Sequence, residues 1–337
     1  MTATADKPAP PRRVRRPPPG LGARLVRTEF FYRLSAGTIR GLMNMVRWVG
    51  RERAERWSLR LARIIAPFMR ESRMAANAIA AAFPEKSAEE RRAILAGTWE
   101  NFAKVVVEFV FLDELAASFD YRRPTEGPIT VSGLEQFLAL RDDGKPAIVV
   151  AAHLANWEIL GVVAQKYGLK SVLPFRAPGN FHLADDVLAR REALMGRLVE
   201  NNRGAVFEIA AALDRGEHLG MLVDQRLADG LRVPFFGRPA LTNPMPAKLA
   251  RHYDCPVHGA RAVRLPGGRL HLELTGPIAL ARDKDGLIDV VAATAQINMI
   301  VEGWVREHPA QWFWLHDRWK GGAPSAPQAP AEPPARQ

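Results

Sequence analysis

The stretch "KPAIVVAAHLANWEIL" (residues 145–160) changes character within a few residues. Residues 147–152 form a short dry run rich in β-branched side chains, the pattern of a strand buried on both faces. His153 closes that run, and Asn156, Trp157 and Glu158 stand at the start of a helix expected over 156–167. A strand that hands over to a helix through a short turn is the repeating unit of a parallel α/β sheet. In such sheets chemistry collects at the carboxyl ends of the strands, which is where His153 falls.

The same alternation extends through the second half of the chain. Strands are expected at 129–133, 147–152, 171–175, 205–209, 219–224, 257–265 and 269–276. Helices are expected at 134–142, 156–167, 183–200, 244–253 and 288–307. The fold class is therefore α/β, with a largely parallel central sheet covered by helices on both faces. An N-terminal helical extension precedes it over 21–120. Pro84 stops one helix of that extension, and Ser87 with Glu90 three residues on reads as a capping box that starts the next. Four segments follow: a disordered basic arm (1–20), a helical membrane-associating region (21–120), the α/β core (121–320) and a disordered Pro-rich tail (321–337).

Charge is distributed unevenly. The net charge is +11, yet residues 1–70 hold 16 Lys/Arg against 4 Asp/Glu, and the remainder holds 31 against 32. The basic excess thus belongs to the N-terminal region and suits nucleic acid, an acidic carrier protein or an anionic membrane surface. Arg53, Arg56, Arg60 and Arg63 share one helical face there, and Trp57, Leu61 and Ile64 another, as in a helix lying on a membrane; a packed helix with a solvated arginine face gives the same pattern. No run is apolar enough for an ordinary span, and no secretory leader is expected. The body carries no nucleic-acid-binding module. Cys255 is the one cysteine, which excludes a disulfide framework and a cysteine-rich zinc site.

His153 and Glu158 make an H-x4-E pair. With eight histidines and about a tenth of residues acidic, chance supplies about one such pair, so the context carries the argument. A strand end and the first turn of a helix bring imidazole and carboxylate together across the turn. The carboxylate then fixes the tautomer while the other ring nitrogen takes a proton from a hydroxyl. The plainer alternative is a satisfied strand-end histidine with Glu158 as a charge at a helix start.

With these residues in place, "HLANWE" resembles the H-x4-D/E motif of the glycerolipid acyltransferase superfamily. Its NWE form is similar to the late acyltransferases of lipid A biosynthesis, the lauroyl/myristoyl type of Gram-negative bacteria. "AAFPEKSAEERRAI", "LPFRAPGN", "MLVDQRLADGLRVPFFGRPALTNP" and "HPAQWFWLHDRWK" resemble further blocks of that family in the same order. The resemblance covers roughly residues 25–320.

It implies transfer of a fatty acyl chain from an acyl carrier protein thioester to a hydroxyl of a lipid A precursor. The expected place is the cytoplasmic face of the inner membrane, and no metal or organic cofactor is expected. By position, His153 is the general base and Glu158 its orienting partner, while Arg176 and Asp224 line the substrate site. Arg176 suits a phosphate of the acceptor, or else a surface ion pair. Asp224, also at a strand end, either orders Arg176, binds the acceptor or caps a loop. Phe235 and Phe236 either wall an acyl chain or pack on the core, and Trp312, Phe313 and Trp314 are expected in packing. Members of the family often carry an apolar N-terminal anchor, which Arg40 and Arg47 interrupt here. A different membrane lipid or glycolipid acceptor, and a non-catalytic membrane- or nucleic-acid-binding protein using the basic arm, are the two alternatives.

Overall fold

The computed structural model describes residues 22–202 and 204–320. The basic arm and the Pro-rich tail expected to be disordered lie outside the described residues. Five helices come first: α1 (Gly22–Val49), α2 (Arg51–Ile65), α3 (Arg70–Ala82), α4 (Ala88–Val110) and α5 (Leu112–Ser118). The capping box at Ser87 is formed. The Ser87 hydroxyl accepts from the Glu90 N–H at 3.1 Å, and the Glu90 carboxylate accepts from the Ser87 N–H at 2.7 Å. Met43 and Val46 of α1 and Ala54 of α2 pack on Val107, Val110 and Phe111, which ties the extension to α4.

The core alternates as expected. In chain order it comprises β1 (Ile129–Ser132), α6 (Leu134–Asp142), β2 (Ile148–Ala151), α7 (Glu158–Lys166), β3 (Ser171–Phe175), α8 (Phe181–Met195), β4 (Arg197–Glu200) and α9 (Ala205–Asp214). It continues with β5 (His218–Leu222), β6 (Leu231–Phe235), β7 (Arg238–Thr242), α10 (Met245–Tyr253), β8 (Val257–Arg264), β9 (Leu270–Pro277) and α11 (Val290–Glu307). Seven strands form one sheet in the order β1-β9-β8-β2-β5-β3-β4. The run from β8 to β4 is parallel throughout, and β9, with β1 parallel to it, runs the other way.

Across its centre the sheet is dry on both faces. Ile148, Val150, Val172, Leu219 and Val257 face α9, α10 and α11. Ala151, Ala260 and Ala262 face α5, α6 and α7. That double burial is why β2 reads as an unbroken apolar run rather than an alternating one.

Three expectations are corrected. Residues 205–209 are the first half of α9, not a strand. Ala205, Ile209, Ala212 and Leu213 are buried and Val206 and Phe207 exposed, a helical spacing visible only over the longer stretch. The helix expected over 183–200 stops at Met195. Gly196 at φ 83° breaks it, and residues 197–200 become β4, whose Leu198 pairs with Leu173. The hairpin β6–β7 was not expected. Its two-residue turn needs positive φ at both positions, and Phe236 at 52° and Gly237 at 65° supply it. Phe236 is held in that conformation by its N–H, which donates to Glu302 Oε2 at 2.6 Å.

On α2 both stripes face outward. Arg53, Arg56 and Arg60 are exposed, and Trp57, Leu61 and Ile64 are 54%, 56% and 66% exposed. The apolar stripe therefore does not pack on the body of the protein. No helix among the described residues is long and apolar enough to cross a membrane.

Candidate active site

The parallel register of β2 and β5 builds the site. Ala151 lies beside Leu222, so two residues further along each strand His153 comes beside Asp224. Nδ1 of His153 is 2.7 Å from Asp224 Oδ1, and the His153 backbone N–H donates to Oδ2 at 2.8 Å. Trp312 Nε1 donates to the same Oδ2 at 2.7 Å. An ionised carboxylate only accepts, so Nδ1 carries the proton and Nε2 is left with its lone pair. Nε2 meets the side-chain amide nitrogen of Gln225 at 3.2 Å.

Asp224 is 1% exposed. Burial by itself pushes its carboxyl up, but the charge of His153 and two hydrogen bonds from that residue outweigh burial and hold it below the usual carboxylate range.

The turn that carries His153 is bolted in place. Ala155 takes a positive φ of 46°, and its N–H donates to the carbonyl of Gln311 at 3.0 Å. The Phe313 N–H donates to the carbonyl of His153 at 3.1 Å. Asn101 of α4 donates to both the Ala155 and Gln311 carbonyls. Asn156 donates to Glu108 Oε2 at 2.9 Å, and Glu108 is forked by Arg264 at 2.5 and 2.9 Å. Every polar partner in this buried network is thus engaged in holding one turn still.

Glu158 is not the partner of the imidazole. Its carboxylate accepts from Arg191 Nε at 2.8 Å and from Arg191 Nη2, and from Trp157 Nε1 at 3.2 Å. The positive φ at Ala155 and the start of α7 turn this side chain toward α8. Contact with His153 is indirect, through the Trp157 ring, whose centroid lies 4.9 Å from that of the imidazole.

Asp224 in turn does not line a substrate surface or order Arg176, because its side chain is wholly enclosed behind His153. Arg176 lies one residue past β3, exposed, and has no hydrogen bond or ion pair among the described residues. Phe235 and Phe236 sit in the core against Trp319 and Trp314 rather than in the cavity wall, and Phe235 packs on the Trp312 indole that donates to Asp224. Trp312 and Trp314 are packed as expected, but the role of the Trp312 indole on Asp224 was not visible in the sequence.

His153, Glu158, Arg176, Arg191 and Gln225 all line one cavity of about 1800 Å³. Most of its wall is apolar, contributed by α1, α4, α7, α8 and the sheet. A base whose Nε2 meets the Gln225 amide at the edge of a large apolar cavity suits proton removal from a hydroxyl carried by a lipid.

No curated protein matches the chain. A family model does: that of the bacterial lipid A biosynthesis acyltransferases matches residues 32–321.

Proposed function

The chain belongs to the bacterial lipid A biosynthesis acyltransferase family, and from that premise we propose how it works. It is an acyltransferase. Its donor is a fatty acyl thioester of acyl carrier protein, and its acceptor is a hydroxyl on an acyl chain of a lipid A precursor. His153 Nε2 removes the hydroxyl proton as the oxygen attacks the thioester carbonyl; the thiol leaves and an ester remains. Asp224 holds the ring in the productive tautomer and stabilises the imidazolium formed. The observation that carries this mechanism is the 2.7 Å contact of Nδ1 with a buried carboxylate, with Nε2 turned to the cavity. Arg176, unpaired and exposed at the cavity, takes a phosphate of the acceptor in a two-point contact.

The site of action is the cytoplasmic face of the inner membrane. Support comes from the N-terminal helices, where Phe30, Phe31, Leu34, Trp48 and the α2 stripe stand exposed beside arginines. The test is transfer by the purified protein from acyl carrier protein thioester to lipid A precursor. Wild-type protein should form the ester, and folded His153→Ala should not. Arg176→Ala should raise acceptor KM while donor hydrolysis is kept; equal losses in both would make Arg176 structural.

A further inference from the structure

The cavity has two arms of different character. The outer arm, between α1, α4 and α8, is open: Ile39, Leu42 and Val106 on its wall are 39%, 53% and 50% exposed. The inner arm runs along the α7 face of the sheet toward the amino ends of the strands. Its far wall is closed by Phe137, Ala164, Leu169 and His218, which are 5%, 8%, 3% and 3% exposed. Along β5 alone, Leu222 to His218 is four strand steps, about 13 Å at ~3.3 Å each, the depth of a medium-length acyl chain in extended form. Burial holds the pKa of His218 below its ordinary value, so the closed end is uncharged at neutral pH.

Midway along the inner arm two residues without side chains flank one leucine. A Cβ on Gly220 would lie 2.5 Å from Leu173 Cδ2, and one on Gly161 would lie 2.9 Å from Leu173 Cδ1 and 3.1 Å from Met195. Gly161, Gly220 and Leu173 all line the cavity. The Leu173 side chain thus packs between Gly161 of α7 and Gly220 of β5 and borders the cavity between the mouth at His153 and the closed end.

We infer that the inner arm takes the donor acyl chain methyl end first, and that Leu173 with its two glycine neighbours and the closed end set the chain length the protein accepts. The inference rests on the acyl-transfer reading above. A single chain fits a blind arm and leaves its thioester at the mouth. A lipid with several chains needs the open arm, which also lies on the side of the exposed apolar residues of α1.

The experiment uses the full chain and saturated acyl carrier protein thioesters of increasing even length. For wild type, kcat/KM should rise about four-fold per methylene and then fall sharply at one length. Ala164→Phe and Gly220→Val should move that limit to shorter chains, and Leu173→Ala and Phe137→Ala to longer ones. The filling and emptying variants move the limit in opposite directions, so a folding failure in one class leaves the other to read.

Binding of free saturated fatty acids of the same lengths, by displacement of a fluorescent fatty acid, reads the same limit without catalysis. Transfer with limits unmoved in every folded variant overturns the inference and leaves the acyl-transfer reading standing. Length-limited binding that shifts with the variants, but without transfer, does the reverse.

Discussion

His153 and Asp224 come from strands 71 residues apart in sequence, yet they share two hydrogen bonds at 2.7 and 2.8 Å. His153→Ala should lower transfer by about 10²- to 10⁴-fold, the usual cost of a positioned base. Asp224→Asn should fall by a similar factor, because an amide at this place no longer selects the tautomer with Nε2 bare. Steady-state rates on protein with unchanged circular dichroism check both. Glu158→Gln should cost less, and no more than Arg191→Gln, since the two side chains act on each other rather than on the ring. A loss at Glu158 equal to that at Asp224 would restore Glu158 as the partner.

Stability carries the same signature. The Asp224 carboxyl is held below its ordinary range, so its contribution is fully present above the unfolded carboxylate pKa and is lost as pH falls toward the depressed folded value. Urea midpoints measured down the acid limb should therefore fall in wild type and flatten in Asp224→Asn. His153 was legible in the sequence because an imidazole at the end of a dry strand is unusual. The role of Asp224 was not, because it depends on which strand lies beside β2 and in what register.

At the scale of elements, α2 carries the membrane proposal. Its arginine stripe and its Trp57, Leu61 and Ile64 stripe both face outward. Binding to anionic vesicles should weaken as salt rises, and again when Arg53, Arg56, Arg60 and Arg63 become glutamine, by about 1 kcal/mol per arginine at the surface. Arg63 should contribute least, because Glu100 already holds it at 2.7 Å. The apolar stripe should retain part of the affinity, and Trp57→Ser with Leu61→Ser should remove it. Co-sedimentation that ignores salt, lipid charge and all these changes would exclude the surface-bound arrangement.

The same scale shows where periodicity misleads. "AVFEI" (205–209) has the composition of a strand, and only the burial of Ala212 and Leu213 on the next turn marks it as helix. β4 was hidden because its four residues follow a 15-residue helix with no break but Gly196.

For the molecule as a whole, the buried brace of Glu108, Arg264, Asn101 and Asn156 joins α4, β8 and the His153 turn. Glu108 is 1% exposed and the Arg264 side chain 8%. Glu108→Gln leaves that guanidinium without its charge partner, which should cost about 3–5 kcal/mol of unfolding free energy and slow transfer as the turn loosens. Replacing both residues together, Glu108→Leu with Arg264→Met, should recover much of the stability but not the rate. Urea unfolding beside kcat separates the two effects.

What the sequence by itself determined follows from local physics. Dry β-branched runs, the Ser87 cap and the end of a strand at His153 are each written within a dozen residues, and the α/β alternation is a succession of such local patterns. The uneven charge that sets the N-terminal region apart is a simple count over residues 1–70. Tertiary structure decided the rest, because it turns on contacts between distant segments. The register of β2 against β5 made Asp224 the partner of the imidazole, and the positive φ at Ala155 turned Glu158 to Arg191 instead. The stacking of α7 and α8 over the sheet left an inner arm whose depth no stretch of sequence records.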